Sequence, residues 1–245
     1  MNLKLGGENV YARSPQSGGI SLMEARPTMV VGIDVNHAKP GSPNPSFAGV
    51  VASTDGNCAR WHTVVEEQKS RREFVDTLEQ TFTTLLRRWH EINGCAPQRI
   101  IVFRDGVAHN MFDEVLSQEV GQIRKAAHSA AGSDQYNPQL VFIVAQMRTR
   151  CRLGLEGAGG GKGGKGFGGK GGKGGDGLGN VPVGTVVDEG ITSGGNDWYM
   201  VPHHGLQGTA RPSHYHVLED DAKLSLDVRA GADPTARPRA APCHG

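Results

Sequence analysis

The order of its apolar periods constrains this chain more than any other feature. MVVGIDV (Met29 to Val35) is a short β-branched run suited to a buried strand. After a Pro/Gly/Ser turn from Pro40 to Pro45, SFAGVVAST reads as a second strand. Thr54-Asp55-Gly56-Asn57 supplies hairpin chemistry, and ARWHTVVEE follows as a third. The period then changes. Phe74, Val75, Leu78, Phe82, Leu85, Leu86, Trp89 and Ile92 recur at helical spacing, which predicts a helix opening at Ser70 and stopped by Gly94 and Pro97. RIIVFRDG (Arg99 to Gly106) is a fourth strand. Met111, Val115, Leu116, Val120 and Ile123 mark a second helix, and LVFIVAQ (Leu140 to Gln146) is a fifth strand.

The order is therefore β-β-β-α-β-α-β. Tight turns make the first three strands antiparallel, whereas helical crossovers deliver the later ones parallel. The predicted class is α/β, a ribonuclease-H-like mixed sheet with flanking helices. With strand four beside strand one, Asp34 and Asp105 end at the same sheet edge, where open α/β sheets bind ligands.

Those two aspartates and Glu73 are the candidate catalytic residues. A carboxylate inside an apolar run, as at Asp34, is costly unless it is paired or bound to metal. Oxygen ligands suit a hard divalent cation, and two such ions placed ~3.5–4 Å apart serve phosphoryl transfer. Asp34 and Asp105 are the expected metal ligands, with Mg2+ the expected ion and Mn2+ the alternative. Glu73 has two readings: a further ligand, or the closing residue of the capping box Ser70-Arg71-Arg72-Glu73. Asp105 precedes Gly106 and has a turn-forming reading as well.

Composition narrows the class. Much of the content of 36 glycines falls between Gly157 and Gly179, with Lys162, Lys165, Lys170 and Lys173 interspersed. Such a run repays little of its ordering entropy, so a flexible insertion is expected. It is no Walker A loop, because Gly166 stands where Ser or Thr must follow Gly164-Lys165. Cys58, Cys95, Cys151 and Cys243 are too scattered for a zinc motif or a disulfide framework. No run approaches the ~20 apolar residues that span a bilayer, and the expectation is a cytoplasmic chain, with a nuclear address also open. The net charge of +1 does not decide for or against a nucleic-acid partner, since clustered carboxylates offset basic residues elsewhere.

Later motifs carry a family resemblance. LKLGG (Leu3 to Gly7), GIDVNH (Gly32 to His37), FRDGV (Phe103 to Val107), FIVAQ (Phe142 to Gln146), NVPVGTVVD (Asn180 to Asp188) and HGLQGTARPSHYHVL (His204 to Leu218) stand in this order. Together they resemble the PIWI domain of eukaryotic Argonaute proteins. The resemblance implies RNA silencing: a small guide RNA held by the protein pairs with a complementary target RNA, which competent members cut, in company with other silencing-complex proteins. It makes Asp34, Glu73 and Asp105 the first three members of the family's metal-binding tetrad. It also assigns Lys4 to the guide 5′ phosphate and His203, Gln207 and Arg211 to the guide backbone, and it matches Arg148 and Arg152 to basic, nucleic-acid-binding positions beside FIVAQ. Met147 stands where a lysine is common in the family. His214 and His216, alternating in a strand, read as scaffold histidines rather than metal ligands.

The expected organisation is a lead-in over residues 1–27, a PIWI domain over 28–221 interrupted at 157–179, and a disordered tail over 222–245. No residue matches the fourth tetrad position, so weak or absent cleavage is expected of this chain by itself. The alternative reading is a non-catalytic guide-duplex binder or partner platform.

Overall fold

A computed structural model describes residues 23, 25–39, 44–70, 73–155, 179–203, 205 and 209–225. Residues 1–22, 156–178 and 226–245 hold most of the expected lead-in, the Gly/Lys-rich insertion and most of the tail, and lie outside the described residues. The chain divides into two compact units, Met1–Ala145 with Val217–Leu224, and Gln146–His216 with Ser225–Gly245.

The first unit is built on β1 (Thr28–Asn36), β2 (Ser46–Ser53), β3 (Trp61–Gln68), β4 (Arg99–Asp105) and β5 (Gln139–Gln146). Their order across the sheet is β3-β2-β1-β4-β5. β1 to β3 pair antiparallel, while β4 joins β1 and β5 joins β4 in parallel. The hairpin turn between β2 and β3 is organised by the Asp55 carboxylate, which accepts the backbone N–H groups of Asn57, Ala59 and Arg60.

Strand alternation sorts the side chains by face. Met29, Val31, Ile33, Ala48, Val50, Ala52, Ile100, Val102, Leu140, Phe142 and Val144 all lie in one buried cluster with helix residues. Those helices are α1 (Leu78–Asn93), α2 (Phe112–Val115) and α3 (Gly121–Ala131). Leu78, Phe82, Leu85, Leu86 and Trp89 of α1 meet Ile123, Ala126 and Ala127 of α3 in the same cluster. Each large side chain so buried contributes about 1.5–3 kcal/mol. Gly94 ends α1 in the left-handed region, at φ 69°, and its N–H bonds the His90 carbonyl.

Two helix features depart from the period. The first helix starts at Leu78 rather than Ser70, and its N-cap Thr77 makes no side-chain cap bond. The expected capping box therefore opens no helix, and Glu73 lies in the irregular segment before α1. Tertiary partners hold the backbone of that segment. The Val75 N–H bonds Glu119 Oε1 at 3.2 Å, Gln122 Nε2 donates to the Val75 carbonyl at 3.1 Å, and Glu79 N–H bonds Gln122 Oε1 at 3.3 Å. Val75 still buries fully, so the apolar spacing was real while the local backbone was not helical.

The second departure is a π turn, Leu116–Val120, between α2 and α3. It contains Glu119, which is 0% exposed and lies in sequence midway between the buried Val115 and Ile123.

The second unit holds β6 (Gly154–Leu155), β7 (Gly179–Asn180), β8 (Val186–Val187) and β9 (Asp197–Met200). β6 and β7 pair antiparallel, as do β8 and β9. β10 (Ser213–Asp220) is divided between the units: Ser213 to His216 pair with β9, and Val217 to Asp220 belong to the first. At the end of β10, Asp221 bonds both the N–H and the carbonyl of Leu140. Arg124 of α3 reaches Glu219 and Asp221. No helix among the described residues is long and apolar enough to cross a membrane.

Candidate active site

The β1–β4 register runs from Thr28↔Arg99 to Ile33↔Arg104. The next residue on each strand is Asp34 and Asp105. Both therefore stand at the carboxyl ends of adjacent parallel strands, with the alternation that sends them away from the helix-packed face. Asp34 is exposed and Asp105 half-buried. Hydration of Asp34 removes the cost that burial within an apolar run implied. Across β2, Asp34 faces Gly49, and neither Gly49 nor Gly32 projects a side chain over this stretch of sheet.

Glu73 is tied to both strand ends. Its Oε2 lies 3.0 Å from Nε2 of His37, three residues beyond Asp34, and the His37 Nδ1 lies 3.3 Å from Ser46 Oγ. Its backbone carbonyl accepts from Nη2 of Arg104, the residue before Asp105. Arg104 Nη1 donates to the Asp105 carbonyl at 2.6 Å. Behind these contacts, Arg104 Nε lies 3.1 Å from Glu119 Oε2, with the side chains 2% and 0% exposed.

Arg104 and Glu119, which brace the segment of Glu73 and the end of the Asp105 strand, were not among the residues singled out from the sequence. Arg104 was visible inside FRDGV, and its odd position was a signal: a cation on the apolar face of a strand requires a buried partner. Glu119 carried the same signal, since it stands four residues from both Val115 and Ile123 on the apolar face of the second helix, where a carboxylate also requires a buried partner.

Carboxylate oxygens are the ligand type a hard divalent cation takes, although among the described residues Asp34, Glu73 and Asp105 do not gather their ligand atoms within 4.8 Å of one another. Asp34 and Asp105 offer carboxylate oxygens from rigid strand ends, and water reaches Asp34. Glu73 is already engaged by His37, so its carboxylate is oriented before any ion arrives.

The candidate phosphate-contacting residues fall in the second unit. Arg148, Arg152, His203 and Arg211 are all exposed. Thr149 Oγ1 donates to the Pro212 carbonyl at 2.7 Å, which runs the segment bearing Arg148 alongside that bearing Arg211. Arg152 folds back, donating from Nη1 to the Cys151 and Thr149 carbonyls. Burial pushes the Cys151 thiol up from its ordinary range, against the nearby Arg152 charge. Lys4 and Gln207 lie outside the described residues.

The family profile described as "Piwi domain" matches residues 1–229. Protein argonaute 5 of Arabidopsis thaliana is 35% identical over 243 residues, covering 93% of this chain and 23% of that protein. Against the C-terminal lobe of a budding yeast Argonaute the TM-score is 0.77 at 29% identity, over 94% of this chain and 45% of the other. Against Kluyveromyces polysporus Argonaute, whose structure holds a guide RNA, the TM-score is 0.76 at 30% identity, over 94% and 27%. The chain thus spans about a fifth of the length of such curated relatives, 23% in the first case.

Proposed function

The chain belongs to the Piwi domain family, and from that premise we propose that it is an Argonaute-like module that binds a small guide RNA and its complementary target in RNA silencing. In this reading the second unit supplies phosphate contacts through Arg148, Arg152, His203 and Arg211, with Lys4 and Gln207 adding to them. Arginine on phosphate holds a strand without reading its sequence, and base pairing to the guide supplies specificity.

The carboxylate end is a partial endoribonuclease site. Asp34 and Asp105 would hold Mg2+ or Mn2+, which supplies charge stabilisation at the scissile phosphate and a more acidic attacking water. Glu73, its carboxylate held by His37 and its backbone by Arg104, would add a further ligand or orient the water. The observation that carries the reading is the parallel register ending at Ile33↔Arg104, one residue short of two aspartates. With three carboxylates and no match to the fourth tetrad position, cutting by this chain alone is weak, while binding of the guide–target duplex persists.

The test combines purified chain, guide, matched target and Mg2+. Expected are retention of the duplex and slow or undetectable cutting. Robust cutting abolished by Asp34→Ala would overturn the impairment, and loss of all guide-dependent binding would overturn the function. Silencing-complex proteins complete the proposed partners.

A further inference from the structure

A second constellation of ligating side chains lies in the other unit. On the β9–β10 ladder His216 pairs with Asp197 and His214 pairs with Tyr199. Alternation puts Asp197, Tyr199, His214 and His216 on one face, with Trp198 and Tyr215 stacked on the other at 5.2 Å. One ligand atom from each of Asp197, His214 and His216 lies within 4.8 Å of the other two. All three are sheltered, at 4%, 14% and 7% exposure.

We propose that Asp197, His214 and His216 form a binding site for a borderline transition cation of the zinc type, separate in chemistry from the oxygen-only carboxylate end. Two imidazoles and one carboxylate select such an ion over Mg2+, which prefers oxygen ligands and keeps its waters. The rings are held in place. His214 stacks on Tyr199 with centroids 3.9 Å apart, and His216 tilts against His214 at the same separation. Asp197 has an outer partner as well: its Oδ1 accepts the Ser193 N–H at 2.9 Å, leaving Oδ2 aimed at His214 Nε2, 2.7 Å away. Outer hydrogen bonds of that kind fix ligand orientation in metal sites.

That 2.7 Å contact is also the competing arrangement. A bound ion takes the place of that hydrogen bond, with each ligand atom ~2.0–2.2 Å from the metal. Ligation needs neutral imidazole and ionised carboxylate, so binding competes with protons and weakens as pH falls. Three protein ligands leave a fourth position for water, and the ion fastens β9 to β10 beyond their backbone ladder.

Equilibrium dialysis of the full chain against micromolar Zn2+ with excess Mg2+, followed by metal analysis, tests the site. Co2+ substitution, read by its visible absorption, reports the ligand set. One tightly held zinc per chain is expected, with a Co2+ spectrum of nitrogen and oxygen ligation lacking thiolate charge transfer. His216→Gln, checked for an unchanged melting profile without metal, lowers zinc affinity by roughly 10-fold or more. His214→Gln does the same. Zinc absent after dialysis against folded wild-type chain overturns the proposal. So does zinc held equally by both variants, or a thiolate signature placing the ion on cysteine. Neither readout depends on RNA binding or cleavage, so failure here leaves the silencing function standing.

Discussion

Arg104 and Glu119 form a solvent-excluded ion pair, 3.1 Å apart, that fastens three separate backbone segments. Glu119 takes the Val75 N–H, while Arg104 donates to the carbonyls of Glu73 and Asp105. One pair thus fixes the segment carrying Glu73 against the strand ending in Asp105. Desolvating both charges is expensive, and the surrounding backbone bonds are what offset that cost.

Removing one partner should therefore cost more than removing both. Arg104→Met leaves an uncompensated buried carboxylate, and chemical denaturation is expected to show a loss of ~3–5 kcal/mol. The double change Arg104→Met with Glu119→Leu should recover part of that. It retains a deficit of about 1–3 kcal/mol, because the Val75 N–H loses its acceptor. A double variant as unstable as the single one would show that the two charges do not act as one structural unit.

Asp34→Asn separates chemistry from stability. Asp34 is exposed, so the substitution should leave the unfolding free energy within about 0.5 kcal/mol. It should nonetheless weaken Mn2+ binding at the strand ends, as should Asp105→Asn, when Mn2+ is titrated by electron paramagnetic resonance. Unchanged Mn2+ affinity in both variants would remove the two aspartates from the metal site.

The strand half of the fold was legible because alternation and turn chemistry are local signals. MVVGIDV and RIIVFRDG announced buried parallel strands, and their pairing followed from connection rules that leave few topologies. Gly94 was legible for the same reason, since only its own backbone decides the cap. The start of α1 was not, because Val75 and Glu79 bond to Glu119 and Gln122, more than forty residues along the chain. Capping-box spacing at Ser70 carries no information about distant acceptors. The pattern likewise could not reveal that Glu73 rests on His37, or that Asp197 closes on His214 across a ladder from a strand only four residues long.

The exposed arginines of the second unit predict a salt effect that sequence-reading contacts would not give. Each of Arg148→Ala, Arg152→Ala and Arg211→Ala should lower single-stranded RNA affinity evenly across sequences. Each should flatten the plot of log affinity against log salt by about 0.7. Fluorescence anisotropy from low to moderate salt measures both quantities. A slope identical to wild type in the triple variant would place the phosphate contacts elsewhere.

Thiol reactivity offers a test that does not involve RNA. Burial raises the pKa of Cys58, opposed by its bond to Ser53 and reinforced by Asp55, and burial raises that of Cys151 too. A raised thiol pKa leaves less thiolate at neutral pH, and the thiolate is the nucleophile. Iodoacetamide at neutral pH should therefore modify exposed Cys95 several-fold faster than Cys58 or Cys151, as followed by site-resolved mass spectrometry. The sign fixes the pH trend. Raising the pH towards the elevated values recruits thiolate at Cys58 and Cys151, so the gap narrows in alkali and vanishes in denaturant. Equal rates in the folded chain at neutral pH would mean that the environments of Cys58 and Cys151 are open to solvent.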